Sequence, residues 1–108
     1  MRRTITLSDR PPIVVEEDDW PLIAKGSTLE GAFLGVRQHR DGRAIVYGVA
    51  TVGHTRIREG TMLSLRDAST EAICQTIREV GSWLESEDVW LGDLISQCIG
   101  SLPAEEID

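Results

Sequence analysis

Up to about residue 66 the apolar residues of this chain tend to alternate with polar ones; beyond it they recur every third or fourth position. The alternation is clearest in Phe33–Val52, where two such segments flank Asp41-Gly42, a strong short-range signal for a β-hairpin. With a two-residue loop Arg40 faces Arg43, Gln38 faces Ile45, Val36 faces Tyr47 and Leu34 faces Val49. Leu34, Val36, Ile45, Tyr47 and Val49 then form a core face. Phe33, Gly35, Arg37 and His39, opposite Ala50, Gly48, Val46 and Ala44, form a flatter, partly polar one. Upstream, Thr4–Leu7 reads as a strand and Ile13–Val15 as a second extended stub after the turn-like Ser8–Pro12. Asp18 or Asp19 is placed to cap a short helix that Gly26 stops after Lys25. A further meander strand is predicted near Thr61–Arg66.

After residue 68, Ile73, Ile77, Val80 and Leu84 follow the i, i+4, i+7, i+11 spacing of a helix capped by Asp67 or Ser69, with Gly81 as its weak point. Ser86 caps a second helix, with Glu87 and Asp88 in its first turn and Leu91, Leu94, Ile95, Cys98, Ile99 and Leu102 as its apolar stripe. Gly100 and Pro103 end it. Strands that cluster and helices that segregate predict an α+β fold. The expected architecture is an antiparallel β-meander of three to four strands with a short N-terminal helix and two C-terminal helices packed on one face. Residues 1–103 make one domain and 104–108 an acidic C-terminal tail.

Composition narrows the class. Of the 108 residues, 41% are hydrophobic and 27% charged, which is globular rather than disordered composition. The core must be aliphatic, because only Trp20, Phe33, Tyr47, Trp83 and Trp90 are aromatic. Ser8, Asp9 and Arg10 interrupt any leader-like apolar region after Met1-Arg2-Arg3, and Ala44–Ala50 is too short to span a bilayer. With two cysteines and no CxxC pair, the chain reads as a cytoplasmic protein of a reducing compartment, without a membrane role.

The net charge of −7 is unevenly spread. Residues 37–67 carry six arginines against three acids; residues 68–108 carry Arg78 against nine acids. Solvated faces explain most of this. Candidate chemistry is thin. His39, His54, Cys74 and Cys98 match no usual zinc spacing. Cys74, His39 and Asp41 are the nominal parts of a nucleophilic site, but both cysteines fall on or beside apolar helix stripes, where a thiol usually behaves as a small buried hydrophobe. No phosphate loop, nucleophile elbow or metalloprotease motif is present. No cofactor is implied, and enzyme activity has no positive support.

The remaining feature is the arginine-bearing hairpin. Arg37, His39, Arg40, Arg43, Arg56 and Arg58 are the candidate binding residues, suited to phosphate or to an acidic partner. A protein partner is the first expectation and direct nucleic-acid binding the alternative. The acidic balance, the single lysine and the lack of aromatics for base stacking count against the latter. Trp83 and Trp90 flank the inter-helix turn and serve better as a closure of the helix pair than as a partner anchor. An uncovered sheet edge would also invite a homodimer.

The run VRQHRDGRAIVYG, with Leu102-Pro103-Ala104-Glu105-Glu106 near the end, resembles small uncharacterised bacterial proteins, some associated with plasmids and other mobile elements. The resemblance implies a bacterial, cytosolic origin and brings no activity. The expected role is a non-catalytic binding or regulatory accessory protein.

Overall fold

The computed structural model describes residues 4–9, 12–28, 31–52, 55–64, 68–84 and 92–102. The chain is α+β. Strands β1 (Thr4–Asp9) and β2 (Pro12–Glu16) form a two-stranded hairpin, followed by a 3-10 turn at Glu17–Asp19. Strands β3 (Leu22–Ser27), β4 (Phe33–Gln38), β5 (Ala44–Val52) and β6 (Thr55–Leu63) form an antiparallel sheet in the order β3-β4-β5-β6. Helices α1 (Thr70–Leu84) and α2 (Gly92–Gly100) follow.

The short helix expected over Asp18–Lys25 is replaced by the 3-10 turn and β3. Pro21 supplies no N–H, and Ile23, Ala24, Lys25 and Gly26 alternate half-buried or buried with exposed from Ala24 onward, a period of two that strand pairing with β4 exploits. The strand expected at Thr61–Arg66 begins earlier, at Thr55, and runs straight through Glu59-Gly60 because β5 offers partners as far as Val52. Residues 65–67 lie outside the described residues, as do the proposed Ser86 cap and the tail at 104–108.

The hairpin forms at Asp41-Gly42, one residue out of the expected register. Arg37 pairs with Ile45, Val36 with Val46, Gly35 with Tyr47 and Leu34 with Gly48. His39 N–H donates to Arg43 O at 2.8 Å and Gly42 N–H to His39 O at 2.9 Å, so the loop holds three residues rather than two. Gly42 takes φ 102°, whereas no described non-glycine residue has positive φ. A two-residue turn on Asp41-Gly42 would need positive φ at both; three residues need it only at the glycine. The consequence is that Arg40 sits in the loop and does not face Arg43.

This register gives the sheet two covered faces. On one, Ala24, Leu34, Val36, Ala44, Val46 and Ala50 pack against Ile73, Ile77, Val80 and Leu84 of α1 and Leu94 and Cys98 of α2. On the other, Ile45 and Tyr47 pack with Val15 of β2 and with Trp20, flanked by Ile5 and Phe33. α1 keeps its apolar spacing, and Ser69 Oγ caps it by accepting from Ala72 N–H at 3.2 Å. It continues past Gly81, where the missing side chain admits Ile95 of α2: a Cβ there would lie 2.6 Å from Ile95 Cδ1.

Candidate interaction site at the hairpin tip

The site is assembled around Trp20. The 3-10 turn ends with Trp20 N–H donating to Glu17 O at 3.2 Å, and the indole is driven into the second core, where it is 6% exposed. Arg37 stands on the same sheet face, two pairs along the ladder from Tyr47. Its Nη1 donates to Trp20 O at 2.9 Å and its Nε to Tyr47 Oη at 3.3 Å. Two of its N–H groups thus engage neutral acceptors of the protein itself, and Arg37 acts as a brace between sheet and turn.

At the tip, Asp41 is the hub. Its Oδ1 accepts from Arg43 N–H at 2.9 Å and its Oδ2 from Arg43 Nε at 2.8 Å. His39 Nδ1 lies 3.1 Å from the same Oδ2 and 3.2 Å from Asp41 N. The Arg43 backbone hydrogen bond is the largest influence on the Asp41 carboxyl; desolvation opposes it, and the Arg43 side-chain hydrogen bond with the nearby charges of Arg43 and His39 leaves the carboxyl below its ordinary 3.8. The rings of Trp20 and His39 lie 5.0 Å apart, and Arg43 Cζ sits 5.2 Å from the Trp20 ring centroid. The indole therefore has an imidazole and a guanidinium as neighbours, the latter at cation–π distance.

Beside this cluster a depression of about 530 Å³ opens between the 3-10 turn and the tip. Asp18, Asp19, Pro21 and Ile23 of the turn and β3 line it together with Gln38, His39, Arg40 and Gly42 of the hairpin. Gln38 ties the walls together: its N–H donates to Pro21 O at 3.1 Å and its Nε2 to Gly42 O at 3.3 Å. Arg40 is exposed and makes no hydrogen bond or ion pair among the described residues. The described residues lining the depression include no serine, threonine or cysteine.

Of the six residues singled out from sequence, Arg37, His39, Arg40 and Arg43 come together at this end of the sheet. Arg58 does not join them. It pairs with Val49, six positions along β5 from Arg43, or ~20 Å at the usual rise of a strand. Arg56 pairs with Thr51, farther still. The parts that sequence reading missed are Trp20, Asp18 and Asp19. One signal for Trp20 was available: an arginine on a central strand must find acceptors, and the Trp20–Pro21 backbone provides one.

No family model, curated protein or solved structure matches this chain.

Other candidate chemistry is dispersed. Among the described residues no group of three or more His, Cys, Asp or Glu is placed to hold a metal ion. Cys98 is buried beneath the sheet, and burial first, then the neighbouring Cys74, pushes its thiol up to about 12, so the sulfur stays protonated and packs as an apolar atom. His54 lies outside the described residues. No helix among them is long and apolar enough to cross a membrane.

Proposed function

We propose that this chain is a non-catalytic binding or regulatory accessory protein that contacts a protein partner through the depression between the 3-10 turn and the hairpin tip. The observation that carries this reading is the commitment of the arginines. Arg37 is spent on Trp20 and Tyr47, and Arg43 on Asp41. Arg40, the cation left at the tip, shares its depression with Asp18 and Asp19. Such a rim is mixed in sign, with two aspartates to one arginine. A phosphate backbone calls for an uncompensated basic surface, whereas a protein surface of mixed charge suits this rim.

The test is quantitative capture from a bacterial lysate, with the wild type compared against Arg40→Gln and Asp18→Asn/Asp19→Asn variants. The same partner should be recovered by the wild type and depleted at least several-fold by each variant, with no nucleic acid bound across a DNA and RNA panel at low salt. Partner recovery that ignores both variants, or steeply salt-dependent binding to the panel, would overturn the reading in favour of another surface or of nucleic acid.

A further inference from the structure

Resting on the protein-binding reading, we infer that the depression takes an extended peptide segment of the partner, one carrying a lysine or arginine and, a few residues away, an aspartate or glutamate. Two independent features point to that occupant.

The first is the edge of the sheet. β3 is an edge strand, and such a strand offers backbone groups to an added strand unless something covers them. α2 covers part of it: Ser101 Oγ accepts from Lys25 N–H at 2.9 Å and lies 3.0 Å from Lys25 O, and Gln97 Oε1 accepts from Ser27 N–H at 3.4 Å. Among the described residues these side-chain closures reach no farther than Lys25. Beyond it the register shifts between Leu22 and Ala24, Leu22 is 37% exposed, and Ile23 lines the depression. The end of the edge without these closures therefore borders the depression, and because the bulge at Ile23 interrupts a regular ladder, an extended segment lying there is held by its side chains.

The second feature is charge. Asp18 and Asp19 come from the 3-10 turn and make no hydrogen bond or ion pair among the described residues; Arg40 comes from the hairpin loop and is equally unengaged. Opposite charges on two walls complement a dipolar segment, its basic side chain toward Asp18 and Asp19 and its acidic one toward Arg40. Pro21 and Ile23 offer apolar contact between the poles. An anion alone would meet the two aspartates, and a cation alone would meet Arg40.

The full chain is panned against a library of random octapeptides at physiological salt, and the selected peptides are titrated against wild type, Asp18→Asn/Asp19→Asn, Arg40→Gln and the α1 control Glu79→Gln. Selected peptides should share a basic and an acidic residue at a recurring separation. Their Kd should rise about tenfold or more on either site variant and stay unchanged on the control. An Arg40→Glu bait should select a second basic residue in place of the acidic one. Selection without that charge pattern, no selection at all, or affinities indifferent to the site variants would overturn the inference. The two readings fail separately: a cellular partner still lost on Arg40→Gln while the peptides show no charge pattern leaves the protein-binding site standing and removes its peptide chemistry. Partner capture insensitive to every site variant removes the site itself.

Discussion

Asp41 does the most at the tip with a single side chain. It fixes the Arg43 backbone, orients the Arg43 guanidinium beside Trp20 and holds His39 Nδ1 within 3.2 Å. Because its carboxyl is held below the ordinary 3.8, its contribution to stability is complete above that value and is lost as pH falls through the lowered folded-state value. In a protein whose other tryptophans are replaced (Trp83→Phe/Trp90→Phe), Trp20 emission should stay constant down to that value and shift only below it. An Asp41→Asn variant should show the weakened environment at neutral pH and no further change in that window. The arginines of the hairpin were legible as a cluster, but their partners were not. Arg37 ends on a carbonyl contributed from seventeen positions upstream, a separation that no local pattern encodes.

The elements differ in how openly the chain announces them. α1 was readable from Ile73, Ile77, Val80 and Leu84, since one stripe faces one core. The hairpin was readable as a hairpin, and its register was not. Alternation selects a register when only one face is buried, and here the helices cover one face while Val15 and Trp20 cover the other. β3 was hidden behind acidic residues that suit a helix cap and in fact make a 3-10 turn. Its position under α2 is tight: a Cβ at Gly26 would lie 2.6 Å from Leu94 O and 3.1 Å from Cys98 N, both backbone atoms. Gly26→Ala should therefore destabilise by about 1–3 kcal/mol in urea melts, while Gly100→Ala, with nothing within 4 Å, should be neutral or gain up to about 1 kcal/mol. Ser101→Ala should cost about 1–2 kcal/mol through its lost bonds to Lys25, and by uncovering the β3 edge should raise self-association seen by light scattering.

The whole molecule is layered: a β-hairpin and Trp20 on one face of a four-stranded sheet, two helices on the other. Among the described residues, that layering separates the arginines of the basic centre from one another. Arg37 is drawn between layers, Arg43 is neutralised at the tip, and Arg58 lies along the sheet away from both. What remains at the tip is a depression of mixed charge, built from two segments that are distant in sequence and joined by Gln38. Photo-cross-linking in living cells addresses it most directly, with benzoylphenylalanine placed at Pro21, an exposed residue lining the depression, in one strain and at the exposed α1 residue Glu79 in another. A discrete protein adduct should form from position 21, disappear in the Asp18→Asn/Asp19→Asn and Arg40→Gln backgrounds, and be missing from position 79. Adducts from position 79 alone, equal labelling from both positions, or nucleic acid as the species captured from position 21 would contradict the assignment of the tip as a protein-binding site.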